Sequence, residues 1–285
     1  MSDKVALVTG GSDGVGLSVV RALIQNHYHV YFIGSNAVKG KKVEAELKHS
    51  AGPQHKNTIQ FIQLDLSDLK AVEQFCNEFR QSHSRLDLLL FSAGVLMPSR
   101  QTSPQGIEKT FAIGYISAYI IAKSLSALMG RGDHPRIVAV SGGKGLVLKE
   151  RLNFDDFNNE KFYIGLKSAI RTVHSKVVLM QWLGDSLADM GVDTISVHPG
   201  IVKSSLGQNL PVPLNWMHKL ASMVMPRQSK STICACTSEE LNGVTRQHLE
   251  GGKRAKLNFK PEYVQQVIES TQAVVQKAGL SSKIS

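Results

Sequence analysis

The 285-residue sequence predicts a doubly wound α/β domain, in which a parallel sheet carries helices on both faces. Two observations predict it. Apolar runs of strand length alternate with amphipathic stretches of helical period from Lys4 to Val197, the pattern of a sheet built from right-handed crossovers. The first apolar run also ends in a glycine-rich turn, Thr9–Gly16 (TGGSDGVG), that opens the first helix.

Lys4–Val8 is apolar without alternation, as expected of a strand buried on both faces. Gly14–Asn26 then sets Val15, Val19 and Leu23 at helical intervals. Val30–Ile33 reads as a second strand and Lys39–Lys48 as a helix with Val43 and Leu47 inward. Ile59–Leu64 is a third strand. Leu69–Arg80 is a helix presenting Val72, Phe75, Cys76 and Phe79. Leu86–Phe91 and Arg136–Val140 are the fourth and fifth strands, with a long helix, Ile107–Met129, between them. A second long helix covers Tyr163–Met190, and Val192–Val197 is the sixth strand.

The tail has a different character. Pro211, Pro213 and Pro226 bracket Leu214–Met225, where Trp216, Leu220, Met223 and Val224 share one face; Ser229–Glu240 and Pro261–Val275 read as further helices. No repeat or linker interrupts the chain. The expectation is one domain over residues 1–285, with 203–285 as its C-terminal part.

Composition narrows the function classes. Hydrophobic residues at 42% and charged residues at 20% are those of a globular domain. Three cysteines, Cys76, Cys234 and Cys236, are too few for a disulfide framework and too poorly partnered for a zinc site. They fit a reducing compartment. The net charge of +10 comes from scattered Lys and Arg, and aromatics are only 6%, which is unlike a nucleic-acid stripe. Phe111–Ala122, the most apolar helical stretch, is too short to cross a bilayer. A glycine turn follows Met1 too closely for a signal peptide. A cytoplasmic protein is expected. Contact with a membrane surface is the weaker alternative, because His218, Lys219 and Arg227 flank the apolar face of 214–225.

In the turn, Gly10 permits the tight bend, Gly14 lets the backbone approach a pyrophosphate, and Gly16 allows close helix–strand packing. Helix N–H groups then face the phosphates. The second predicted strand ends in Gly34-Ser35-Asn36, with Lys39, Lys41 and Lys42 following. An acid there would bond the ribose 2′-hydroxyl of NAD. Ser35 and Asn36 instead offer donors to a 2′-phosphate, so NADP(H) is the expected cofactor.

Further motifs fall in register with the turn. T-G-x-x-x-G-x-G, Asp65 in LDLSD, Ala93-Gly94 in FSAG and His198-Pro199-Gly200-Ile201-Val202 together resemble the short-chain dehydrogenase/reductase family with its Rossmann-type sheet. NFDDFNNEKFY and SEELNGVTRQHLEGGKRAKL resemble its retinol-dehydrogenase-like subgroup. The resemblance runs over nearly the whole chain. It implies nucleotide contacts at Gly10, Ser12, Gly14, Val15, Gly16, Ser35, Asn36, Asp65, Leu66, Ala93, Gly94, Pro199, Gly200, Val202 and Ser204. It also implies that 203–285 serves as a helical substrate lid and C-terminal part of the domain, and that the protein is a homodimer or homotetramer, with Ile116, Tyr119 and Ile120 as candidate contacts.

The family reduces carbonyls with a Tyr, a Lys, a Ser and an Asn, and here the match departs. The Asn slot holds Gly114 and the Ser slot Gly142, beside Ser141. The Tyr-x-x-x-Lys pair has three readings. Counting without gaps puts Ala169 and Val173 in the slots, and keeps Val178, Leu179, Leu183 and Leu187 in phase as buried positions. Matching His174-Ser175-Lys176 keeps Lys176 but leaves Thr172 as the tyrosine. Taking Tyr163 and Lys167 literally sets the pair six residues early. A proton donor is required because hydride arriving at a carbonyl develops alkoxide charge. Tyr163, Lys176 and Lys144 are the candidates, with Arg171 and Tyr115 behind them.

Three functions remain open. The first is an oxidoreductase acting on a lipophilic carbonyl or imine through a non-standard donor, its substrate held by the Trp216, Met217, Met223 and Met225 surface. The second is a nucleotide-binding sensor or scaffold without turnover. The third is a non-redox enzyme reusing the pocket.

Overall fold

In the computed structural model, residues 4–200, 202, 226 and 228–280 are described. Eight strands form one sheet in the order β3-β2-β1-β4-β5-β6-β7-β8. They are β1 (Val5–Thr9), β2 (His29–Gly34), β3 (Ile59–Gln63), β4 (Leu88–Phe91), β5 (Arg136–Val140), β6 (Asp193–Val197), β7 (Gln247–Glu250) and β8 (Lys253–Ala255). All pairings are parallel except that of β7 with β8. The helices are α1 (Gly14–Gln25), α2 (Ala37–Ala51), α3 (Leu69–Ser82), α4 (Lys109–Met129), α5 (Lys144–Lys149), α6 (Gly165–Ser186), α7 (Lys230–Thr237) and α8 (Pro261–Lys277).

The continuous apolar character of β1 has a direct cause. Leu7 packs into the core on one face of the sheet, Ala6 and Val8 into the core on the other, and all three are fully buried. Helices cover both faces, so neither side of the strand meets water.

The last two strands go beyond the sequence expectation. Gly251 and Gly252, both at positive φ, make the two-residue turn that folds β8 back on β7. A short part of the tail therefore extends the sheet. None of residues 228–280 is among those lining the cavity described below; they are the C-terminal part of the domain. Leu214–Met225 lies outside the described residues.

Helix α4 starts at Glu108, whose buried carboxylate accepts from the N–H groups of Thr110 and Phe111 and from the Ser168 hydroxyl at 2.7 Å. Four orphan helix N–H groups need such partners. The same contact ties α4 to α6. Residues Ala112–Ile116 form a π-helical turn inside α4. Such bulges concentrate at functional sites, and this one carries Gly114. At 21 residues α4 is long and apolar enough to cross a membrane, which corrects the sequence expectation of a short apolar stretch. Most of it is buried against the rest of the chain.

Two sequence expectations fail at this layer. Ile116, Tyr119 and Ile120 are at most 2% exposed, inside the chain's own core. They are not available as contacts between copies. Tyr163 precedes the helix instead of beginning it. Helix α6 starts at Gly165, where a Cβ would stand 2.1 Å from the Met97 carbonyl oxygen. Helix α8 packs on α6, held by Tyr263 Oη at 2.6 Å from His174 Nε2, while its Thr271 meets the Tyr115 hydroxyl at 2.7 Å.

Candidate functional site

A cavity of about 810 Å³ opens at the C-terminal ends of the strands. It straddles β1 and β4, where the strand order reverses, the place where open α/β sheets bind ligands. The turns after β1, β2 and β3 wall one half. Residues 92–96 after β4, residues after β5 and β6, and the inner faces of α4 and α6 wall the other.

The nucleotide half is backbone-built. Gly10 has φ +68°, and a Cβ there would lie 2.9 Å from the Ala93 Cα. At Gly16 a Cβ would stand 2.3 Å from the Gly10 carbonyl oxygen, so the helix seats directly on the turn. Thr9 locks this turn to β4: its Oγ1 accepts from the Ser92 and Ala93 N–H groups and donates to Leu90 O. Gly10, Ser12, Gly14, Val15, Ser35, Asn36, Asp65, Leu66, Ala93, Gly94, Pro199, Gly200 and Val202 all line the cavity. Gly16 sits behind the lining, and Ser204 lies outside the described residues.

Polar groups in this half are already oriented. Asn36 caps α2, its Oδ1 accepting from Lys39 N–H at 2.9 Å. Asp65 Oδ1 accepts from the N–H and hydroxyl of Ser67, holding the turn after β3. The end of β2 carries no carboxylate, as the sequence indicates, but one reaches the same part of the wall from another turn. Asp13, from the glycine turn, also lines the cavity and pairs with Lys39 at 2.8 Å. This acid is not legible at the end of β2, because the glycine turn and the first turn of α2 are distant in sequence and meet only in the fold.

In the other half, Ala169, Thr172, Val173 and Lys176 all face the cavity from α6. The helix is continuous, so the Ala169/Val173 and Thr172/Lys176 readings both place their pair on the lining. Val178, Leu179, Leu183 and Leu187 are buried, in phase with the ungapped count. Gly114 stands opposite Thr172: a Cβ at 114 would meet Thr172 Cγ2 at 2.4 Å. Thr172 itself donates its hydroxyl back to Ser168 O at 2.8 Å. A Cβ at Gly142 would touch Leu146 at 3.2 Å and Val173 at 3.4 Å, and the Ser141 hydroxyl donates to Gly142 O.

The structure separates the proton-donor candidates. The Tyr163 hydroxyl donates to Met97 O at 2.9 Å, Lys167 is exposed, and neither lines the cavity, which removes the third reading of the pair. Lys144 begins α5, with its N–H on Glu250, and it too stands off the cavity. Arg171 lies over the Phe111 and Phe157 rings, 4.5 and 5.2 Å from their centroids. Tyr115 is buried against Thr271, with burial holding its hydroxyl well above the usual range.

Lys176 alone of the five lines the cavity. It is 4% exposed, and among the described residues its ammonium has neither an ion-pair nor a hydrogen-bond partner. Burial in these surroundings pushes its pKa down to about 8, because desolvation disfavours the charged form. No tyrosine is found among the described residues that line the cavity. The local string His174-Ser175-Lys176 was the only signal pointing to this lysine.

Comparison with known proteins decides the family. The short chain dehydrogenase family model matches residues 4–213. The chain belongs to the short-chain dehydrogenase family. Within it the similarity runs to the retinol-dehydrogenase-like subgroup. Human retinol dehydrogenase 11 is 29% identical over 242 residues, covering 83% of this chain and 73% of the relative. Human polyprenol dehydrogenase is 27% identical over 268 residues, covering 89% and 78%. Among solved structures, an uncharacterised protein from Mycobacterium paratuberculosis superposes with a TM-score of 0.71 at 15% identity, covering 96% of this chain and 94% of that one. A short chain dehydrogenase from Burkholderia cenocepacia, in complex with NADP, gives 0.64 at 17%, covering 86% and 95%.

Proposed function

We propose that this short-chain dehydrogenase is an NADP(H)-dependent oxidoreductase acting on a lipophilic carbonyl or imine, with Lys176 as its proton donor. The observation that carries the reading is Lys176 in the cavity wall, a buried residue whose ammonium has no partner among the described residues. A buried cation is costly unless a ligand meets it. The residues present fit a dinucleotide. Gly10 brings the turn against Ala93 with no side chain between, Gly16 seats α1 on that turn, and among the described residues nothing beyond its chain neighbours lies within 4 Å of where a Gly94 Cβ would be.

Ser12, Gly14 and Val15, at the start of α1, would hold the pyrophosphate with backbone N–H groups. Asp65 and Leu66 would flank the adenine. Ala93, Gly94, Pro199, Gly200 and Val202 would line the nicotinamide end. When bound, the nicotinamide supplies or accepts the hydride. Lys176 gives its proton to the oxygen that gains negative charge and recovers it from solvent. A donor with a pKa of about 8 stays protonated at neutral pH yet releases its proton readily. With an iminium substrate the hydride alone neutralises the carbon, and Lys176 serves only to orient the cofactor ribose.

The substrate class rests on the walls and the relatives. Val95, Leu96, Ile113, Ala169 and Val173 make the substrate side apolar. Retinol and polyprenol, for which the curated relatives are named, are both apolar alcohols.

A second reading, an NADP(H)-binding protein without turnover, is favoured by the absence of tyrosine from the described lining. One experiment separates the two. Purified protein is incubated with NADPH and a panel of long-chain aldehydes, ketones and cyclic imines, and 340 nm absorbance is followed. NADPH consumption matched by alcohol or amine formation supports the oxidoreductase. Tight NADPH binding with no turnover across the panel transfers the assignment to the binding protein.

A further inference from the structure

The 2′-end of the nucleotide half holds a charge arrangement that the proposed cofactor does not by itself require. Two helix N-termini converge there, that of α1 capped by Asp13 and that of α2 capped by Asn36. Asp13 Oδ1 accepts from Gly14 N–H at 2.7 Å, and its Oδ2 lies 2.8 Å from Lys39 Nζ. Both residues line the cavity together with Gly34, Ser35 and Asn36. Lys39 is the only cationic side chain among the described residues on that side, and Asp13 already engages it. An internal carboxylate thus stands where helix dipoles and a lysine would otherwise be free for an external anion.

We infer that Asp13 is a specificity-determining residue: by holding Lys39 and placing a negative charge at the 2′-end, it weakens the preference for NADPH over NADH. The inference rests on the NADP(H) reading above. The 2′-phosphate has to share Lys39 with Asp13 and approach a like charge. A ribose 2′-hydroxyl meets neither cost. Both side chains remain roughly two-fifths exposed, 37% for Asp13 and 43% for Lys39, so water screens the effect and keeps it modest. Preference is then set by two residues from different turns, and not by the end of β2 alone.

The test is calorimetric titration of the full chain with NADPH and NADH in wild type, Asp13→Asn and Lys39→Met. Asparagine is as good a helix cap as aspartate, so the turn survives the first change. Lys39 lies on an exposed helix surface. The expected result is that Asp13→Asn tightens NADPH about threefold to fivefold and leaves NADH unchanged. Lys39→Met should weaken NADPH by a similar or larger factor, again with little effect on NADH. Adenosine 2′,5′-bisphosphate against AMP should repeat both shifts, locating them at the 2′-end. Equal movement of both nucleotides in Asp13→Asn, or weaker NADH, overturns the inference, since Asp13 would then be a cap or a ribose ligand. Unchanged NADPH affinity in both variants overturns it too while the cofactor reading stands. Failure of wild type to bind either nucleotide at millimolar concentration removes both.

Discussion

The two halves of the cavity are built by different means. The nucleotide half is made of backbone: tight turns after β1 and β4, locked by Thr9, with glycine wherever another strand or helix approaches. The half facing the substrate is made of side chains on two packed helices, and its character depends on which residues α4 and α6 turn toward each other. A turn of this kind depends on its glycines and on a few side chains such as Thr9 and Asp13. A helix face changes its chemistry with every residue it presents. This chain keeps the glycines of the first half, while its second half presents Gly114, Ala169, Thr172, Val173 and Lys176.

The sharpest way to break that contrast is Lys176→Met. If the second half does chemistry, turnover with a carbonyl substrate should fall about a hundredfold or more. NADPH should still bind, measured by nicotinamide fluorescence. In the wild type the reduction rate should hold below pH 8 and decline as pH rises through about 8, because the protonated amine is the donor. That limb should vanish in the variant. Turnover and pH profile both unaffected would leave the proton to another group.

Gly16→Ala probes the first half. Its new methyl would press on the Gly10 carbonyl, which the neighbouring turns hold in place. A loss of about 1–3 kcal/mol in urea unfolding is expected, together with loss of nucleotide binding. Gly114→Ala is the matching change in the second half. The clash there is with Thr172 Cγ2, a single methyl, so a cost of about 1–2 kcal/mol is expected with nucleotide binding retained. Thr172→Ser should relieve part of that cost in the double variant. Equal loss of binding in the two glycine variants would erase the distinction between the halves.

The smallest effect is expected at Tyr163→Phe. It removes one hydrogen bond to Met97 O, worth about 0.5–1.5 kcal/mol in thermal or chemical unfolding, and should leave turnover unchanged. A collapse of activity would restore Tyr163 as the proton donor.

Much of the first half was readable in advance because its signals are local. Thr9–Gly16 carries its own strand end, turn and helix start, and Gly34, Ser35 and Asn36 at the end of β2 are consecutive and all line the cavity. Asp13 escaped notice for the converse reason. Its partner Lys39 is 26 residues away and meets it only because β1 and β2 are neighbours in the sheet. In the second half the slots of the Tyr-Lys pair could not be chosen by counting, since helix α6 presents residues three and four apart on one face. The oligomer contacts failed because α4 lies within the chain's own packing. Ile116 and Ile120 carry the same apolar signature whether they meet another copy or the chain's own core.

By itself the sequence determined the class of fold, the order of the first six strands along the chain and the glycine turn. These follow from periodicity and from backbone conformations that few residues other than glycine adopt. Only the tertiary structure decided that the tail adds β7 and β8 to the sheet, that the Tyr163 hydroxyl bonds Met97 and is not part of the cavity lining, and that Lys176 is buried in the wall with no partner among the described residues. Those facts depend on which surfaces meet across long separations in the chain, and a lysine's pKa depends on what surrounds it, not on its neighbours in sequence.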